Sequence, residues 1–582
     1  VKNMREILTF QLGNFSNYVG SHFWNIQEEL LSYEDEGQST GEVDSSSLFR
    51  QLGEELSFPR VMLLDVRSNR GSLRRWGLSE DSAGDAGTGE ALVTAAWQGS
   101  VTKCVTDPVQ HHPFVARLLQ EDEDDNEDMD DNEDMVCENG AERSRTDQKK
   151  EKGEKEIMIE DNTVRYWSDY LKVQYHPRTC HDLTEGLGRD YESSFASGLL
   201  WESDNNVLKE EWEDNLHWWV EECDTLQGFQ MMCDTDNAFG AIGSSVCELL
   251  SDEFAKVPIF FLGRSEDHLS SNPLALDAAQ RYRRSRSAAV TFAVASQYSQ
   301  LFVPILGSSS WTNDNSHLLS FHHPSPFRSS AVVAAILDTI SLPWRAARKY
   351  QSNSAHMWNT CDLVSSSGNF PVATLSSWLP VMLKEQFDLP SWLKGRGGGL
   401  LLSPCSSRRG GGTTCGLGHG SNFTQRQVSS AKEEGVEESK TFSMHSVLRG
   451  TSKEETQQKD RDLLMQSFFQ EKRISALDCY SIRAPLTLPV TFPTKMFSRQ
   501  LGRDGLIRED LEADVEPSRV STMASLEANS SLSEWLWETS RLVKDKQDDA
   551  DITLYRQLGY DDDWRLEMAE RLESVHDGYT CE

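Results

Sequence analysis

A chain of 582 residues is too long for one ordinary core, so at least two domains are expected, and 37% hydrophobic residues supply the apolar surface to build them. A net charge of −36 argues against a nucleic-acid grip and against broad adhesion to anionic lipid, unless a local basic patch overrides it. Eleven cysteines without a CxxC pair suit free thiols in a reducing cytosol rather than a disulfide framework.

Ile7 to Leu12 is apolar apart from Thr9 and Gln11 and reads as a short buried strand. Gly13 breaks it. From about Asn14 the period changes to three and four through Tyr18, Val19, His22, Phe23, Ile26 and Leu30, as on one helix face. Strand, glycine, helix is how a nucleotide-binding α/β layer begins, because a helix N-terminus points unpaired N–H groups at a phosphate. A plain βα unit with a glycine at its corner reads the same way. No cleavable targeting segment is expected ahead of this strand. The glycosylation sequons at Asn14, Asn422 and Asn529 are read as chance matches.

Val61 to Asp65 is a second apolar strand, ending in a carboxylate. Glu121 to Asp134 holds eleven acidic residues in fourteen, a density that cannot fold on itself, and a lysine-rich stretch follows. Residues 118–160 are therefore expected to be a disordered insertion. Order resumes with Val164 to Leu171 and the run Tyr175, His176, Pro177, Arg178. Cys223 to Gln230 (CDTLQGFQ) and Val257 to Leu262 read as strands, and Asn272 to Gln297 as mainly helical. That helix carries Arg281, Arg283, Arg284 and Arg286, the one dense basic patch, read as a solvated face or a contact for acidic partners. Ala288 to Leu306 is the most apolar stretch, but Ser296, Gln297, Ser299, Gln300 and Pro304 disqualify it as a bilayer span. A helix from Ser329 to Ser341 follows Pro326. The Gly/Ser/Arg-rich tract 395–421 is read as linker; its Gly410 to Gly416 lacks the strand and helix a phosphate loop needs. Trp378 to Phe387 is expected to be helix, Pro485 to Pro493 an edge segment, and Ser531 to Lys546 and Asp563 to Val575 amphipathic helices.

The opening Arg5, Glu6, Ile7, Gln11, Gly13, Asn17, Gly20, Phe23, Trp24 resembles that of tubulins, and CDTLQGFQ at 223–230 matches their strand before the phosphate loop. The W-S-D-Y-L run at 167–171 and the Y-H-P-R run at 175–178 resemble the Misato family, a tubulin-related group. The resemblance implies a tubulin/FtsZ-like α/β nucleotide-binding layer with a degenerate phosphate loop, plus a second α+β part. The segments expected are 1–117, tubulin-like of Misato segment II type; 118–160, acidic insertion; 161–394, second tubulin-like segment; 395–453, flexible linker; and 454–582, C-terminal α+β region.

Where tubulins carry G-G-G-T-G-S-G, the aligned residues are Asp236, Asn237, Ala238, Phe239, Gly240, Ala241 and Ile242. Asp236 puts a negative charge beside a phosphate and Phe239 fills nucleotide space. The strand ending at Asp65 has Arg67 where tubulins have a glutamate, which removes a metal partner. The G-x-x-N-x-D triplet that completes a neighbour's GTPase site has no counterpart at Ala346 to Trp358. No GTPase activity is expected; a residual nucleotide site is assigned to Gly13, Asn14 and Gly240, with no cofactor certain, GTP included, and no metal. The resemblance further implies a protein of the cytoplasm and mitochondrial outer membrane that regulates mitochondrial distribution, morphology and fusion. Its expected partners are outer-membrane proteins and cytoskeletal or tubulin-related proteins, with peripheral membrane association and no nucleic acid. A polymerising GTPase and a chaperone or scaffold for tubulin-related complexes are the alternatives.

Overall fold

A computed structural model describes residues 5–35, 42–52, 56–73, 109–120, 159–183, 194–202, 207–266, 277–313, 318–321, 325–347, 349, 356–381, 399–404, 440–450, 458–470, 474–506, 516–545, 555–556 and 560–580. The acidic run 121–134 and the glycine-rich tract 405–421 lie outside them.

Six strands form a parallel sheet: β1 (Glu6–Leu12), β2 (Val61–Val66), β3 (Cys180–Leu183), β4 (Leu226–Asp234), β5 (Ile259–Ser265) and β6 (Leu301–Leu306), in the order β3-β2-β1-β4-β5-β6. The order reverses between β1 and β4, and in such sheets the crevice beyond the carboxyl ends of those two strands is where ligands sit. Alternate residues of β1 serve different faces: Ile7 packs with α1 (Asn14–Asp35), while Leu8, Phe10 and Leu12 belong to a second core with Trp212, Phe229 and Phe261. That second face is covered by α2 (Val207–Glu221), α3 (Ala238–Glu253) and α4 (Ala278–Tyr298).

A mixed sheet stands behind this layer. Its strands β7 (Thr312–Asn313), β8 (Thr374–Trp378), β9 (Leu400–Leu401), β10 (Thr441–Arg449), β11 (Ala476–Ile482) and β12 (Thr522–Asn529) run β11-β10-β12-β8-β9-β7. Helix α5 (Pro326–Ile340) lies between the two parts, against α1 on one side and β12 and β10 on the other. Phe327 and all of Ser329–Ile340 are buried, as befits a helix with protein on every side.

The two parts are pinned by one fully buried carboxylate. Asp338 of α5 accepts from Gln27 of α1 at 2.6 Å, from Arg345 at 2.7 Å and from Arg449 of β10. Arg449 also donates to the carbonyls of Ala484 and Pro485, so all its charge is directed inward.

Helix α6 (Met357–Ser365) packs near β10, and α7 (Gln458–Gln470) lies on β11. Helices α8 (Ser533–Lys544) and α9 (Asp562–Tyr579) form a hairpin on α4. At its end the buried Tyr579 hydroxyl donates to the Val372 carbonyl and accepts from the Val372 N–H, at 2.5 and 3.0 Å.

Three expectations change. Residues 395–453 are not linker throughout, since β9 and β10 fall inside them and β10 is paired on both edges. The second sheet therefore draws strands from both sides of every boundary drawn between 161 and 582. Trp378 ends a strand, β8, instead of starting a helix. The four arginines of α4 do not share a surface: Arg286 is buried at 5% exposure with its guanidinium 5.9 Å from the Tyr555 ring, and Arg284 faces the crevice beyond β1 and β4. Among the described residues no helix is long and apolar enough to cross a membrane.

Candidate functional site, a self-capped crevice

The helix that follows β1 starts without a capping side chain of its own. Gly13 has φ +105°, a left-handed value that glycine tolerates, and it offers nothing to the first N–H groups of α1. The cap comes instead from β4, more than two hundred residues later. Leu12 pairs with Cys233, so Asp234 comes to rest beside Gly13. Its Oδ2 accepts from the Phe15 N–H at 2.9 Å, and its Oδ1 accepts from the Ser16 N–H at 3.0 Å and the Ser16 hydroxyl at 2.8 Å. A Cβ at Gly13 would lie 2.7 Å from this carboxylate. The positive end of α1, where a phosphate would be drawn, is thus satisfied by an anion of the chain itself.

On the other side of Gly13 stands Asp65, at the end of β2. Its carboxylate accepts from Asn17 and Trp167 at 3.0 Å each, from Asn69 at 2.9 Å and from the Val66 N–H at 2.7 Å. Burial pushes its carboxyl up to about 7, against the pull of Asn69, Asn17 and the Val66 N–H. Burial likewise raises Asp234 to about 6, with Arg264 and Ser16 working downward. Trp167, one of the residues carrying the family resemblance, is therefore a donor to the penultimate residue of β2.

Two more helices aim their N-termini at the same crevice, and each is closed. Asn237 caps α3 by accepting from the Phe239 N–H at 2.9 Å. Ser325 caps α5 by accepting from the Phe327 N–H at 3.3 Å. Between them is a cavity of about 360 Å³ whose walls include Asn14, Asp234, Asp236, Arg264, Glu266 and Arg284. Arg264 lies 4.3 Å above the Phe15 ring and pairs with Glu266, whose N–H donates to Asp236 at 3.3 Å.

Of the three residues assigned from the sequence, the structure brings Asn14 to the cavity wall. Gly13 lies one residue back, under Asp234. Gly240 faces the other way: a Cβ there would run into Thr291 Oγ1 of α4 and the Thr235 carbonyl, so its role is close helix packing. Phe239 is 2% exposed; it borders the cavity and packs in the core under α3. Asp234, Arg264, Glu266 and Arg284 were not singled out for this site by the sequence.

A guanine nucleotide would bring several negative charges to this place. It would meet an anion already seated on α1, a second carboxylate at Asp236, a third at Glu266, and an arginine already paired. The residues present do not fit the phosphates. Among the described residues no group of His, Cys, Asp and Glu is arranged to hold a metal ion.

Residues 5–120 match the family model for the Misato Segment II tubulin-like domain, and residues 157–346 match that for a tubulin domain. The chain is 30% identical to Protein misato homolog 1 of Macaca fascicularis over 69% of its own length and 70% of that protein. This chain belongs to the Misato family. It is also 31% identical to Protein misato homolog 1 of Mus musculus, covering 67% of this chain and 66% of the mouse protein. Identity to Protein misato of Drosophila melanogaster is 27%, over 69% of each chain. The parallel layer with its mixed sheet behind is accordingly a tubulin-like α/β fold, and the tubulin match ends at residue 346, just past α5.

Proposed function

We propose that this member of the Misato family is a non-catalytic tubulin-like protein that regulates mitochondrial distribution, morphology and fusion from the outer membrane and the cytoplasm. The observation that supports a non-catalytic role is Asp234 seated on the N-terminus of α1, where the nucleotide phosphates of an active relative would bind. The mitochondrial role rests on what the family resemblance implies. Attachment is peripheral and runs through a protein partner on the outer membrane. A net charge of −36 opposes anionic lipid, and the arginines of α4 do not form a common face.

The test begins with the purified full chain. It is denatured and its supernatant assayed for guanine nucleotide, and phosphate release from GTP is followed at rising protein concentration. The expected result is neither bound nucleotide nor turnover; stoichiometric GDP, or turnover that grows with self-association, overturns the reading. For the membrane, mitochondria are washed with alkaline carbonate. The protein is expected in the wash, and retention in the pellet would require an anchor in the bilayer.

A further inference from the structure

Resting on the non-catalytic reading above, we propose that Asp234 is a built-in anion that occludes a latent diphosphate-binding cavity, whose remaining half is Arg264 and Arg284. Three features converge. The carboxylate sits where a phosphate oxygen would, taking two backbone N–H groups and a hydroxyl from the first turn of α1. The carboxylate fills the space directly over Gly13, where even a Cβ would lie 2.7 Å from it. Beyond the carboxylate the cavity stays open at about 360 Å³, and two arginines stand in its wall. The Nε atoms of both are buried and make no hydrogen bond among the described residues, while the far end of the Arg264 guanidinium is paired with Glu266. Two cationic groups and three helix N-termini around one hollow are the surroundings of an anion. The acids Asp234, Asp236 and Glu266 are what keep a second anion out.

An ordinary capping residue could be exchanged without changing what the cavity binds. An occluding anion cannot. Asp234→Ser removes the charge and keeps a hydroxyl near the Phe15 and Ser16 N–H groups. Inorganic pyrophosphate is titrated calorimetrically into the full native chain and into this variant, and thermal melts are recorded with pyrophosphate and with sodium sulfate at equal ionic strength. The expected result is no saturable binding to the native chain, at least tenfold tighter binding to Asp234→Ser, and loss of that gain when Arg264→Gln is added. Asp234→Asn keeps an acceptor for the helix while losing the charge, and is expected to bind more weakly than the serine variant but measurably. Equal binding by native chain and variants overturns the proposal. So does a variant with native near-ultraviolet circular dichroism that ignores pyrophosphate. A variant recovered unfolded is titrated with pyrophosphate as well: recovery of native dichroism supports an anion seat, and no recovery counts against it. Guanine nucleotide on the native chain would overturn the non-catalytic reading, whereas an empty native chain with unresponsive variants overturns this inference alone.

Discussion

Asp65 shows how far one buried side chain can set the response of the whole chain to pH. Its carboxyl is raised by burial from an ordinary 3.8 to about 7, so between those values the folded chain holds a proton that the unfolded chain has released. The stability that this group contributes must then fall as pH rises through that window and level off above it. A shift of this size in a fully buried group corresponds to a few kcal/mol at most, roughly 1.4 kcal/mol per unit. Asp234, raised to about 6, adds the same sign over the lower part of the window. Asp338 acts oppositely: burial pushes it up, but Arg345 and Arg449 outweigh burial and hold it below its ordinary value, so its contribution is lost only on acidification. His22 and His176, lowered to about 3 and about 4 mainly by burial, act in the opposite sense below 6.5, so the test is a difference: from pH 4.5 to 8 the urea midpoint of the native chain should fall relative to that of Asp65→Asn, and a constant difference would show that Asp65 stays ionised. The sequence marked Asp65, Asp236 and Phe239 because each stands at a position of the tubulin pattern. It did not mark Asp234, which follows no short motif. The signal is topological: an acid at the end of the strand that neighbours a strand–glycine–helix corner, visible only once β1 and β4 are known to pair.

At the scale of elements, β10 is among the strands missed by sequence reading, and it is tied to its surroundings by its polar side chains. TFSMHSVLR carries serines, a histidine and an arginine at positions that a buried strand usually fills with apolar residues, and so it read as part of a polar linker. Each of these residues meets a partner, although the Nε2 of His445 is buried without one among the described residues. Ser443 donates to the Val364 carbonyl, Ser446 bonds Ser525, His445 contacts Asp478 at 2.7 Å and Arg449 reaches Asp338. Polar residues are tolerated in an interior strand when neighbouring elements complete them, and those neighbours are remote in sequence. Apart from β3, the short polar CHDL, which was not read as a strand, the parallel layer was largely legible because most of its strands are apolar runs with local turn signals. The second sheet was not, because its strands come from widely separated segments. The Asp338 cluster gives a sharp test. Asp338→Ala leaves two buried guanidinium groups without their anion, and chemical denaturation should report a loss of about 3–5 kcal/mol. A loss under about 1 kcal/mol would mean that the carbonyl partners of Arg345 and Arg449 suffice.

For the molecule as a whole, the two matches to known domains, 5–120 and 157–346, leave a gap that coincides with the acidic run. Residues 121–156 should therefore be removable. The deletion variant is expected to melt within about 2–3 °C of the full chain, compared by differential scanning calorimetry, and a markedly lower melting temperature would show that the segment packs on the fold. The opposite end behaves differently. Tyr579 lies near the end of the chain, yet its hydroxyl satisfies both the N–H and the C=O of Val372. Val372 itself bridges to Phe302 of β6, at the seam where the parallel layer meets the mixed sheet. Tyr579 lies far outside the tubulin match, which ends at residue 346, so its replacement would leave every matched position in place. Tyr579→Phe would nonetheless strip a backbone pair of its only described side-chain cover at the joint between the two halves, so that a position beyond both matched domains secures the inside of the molecule.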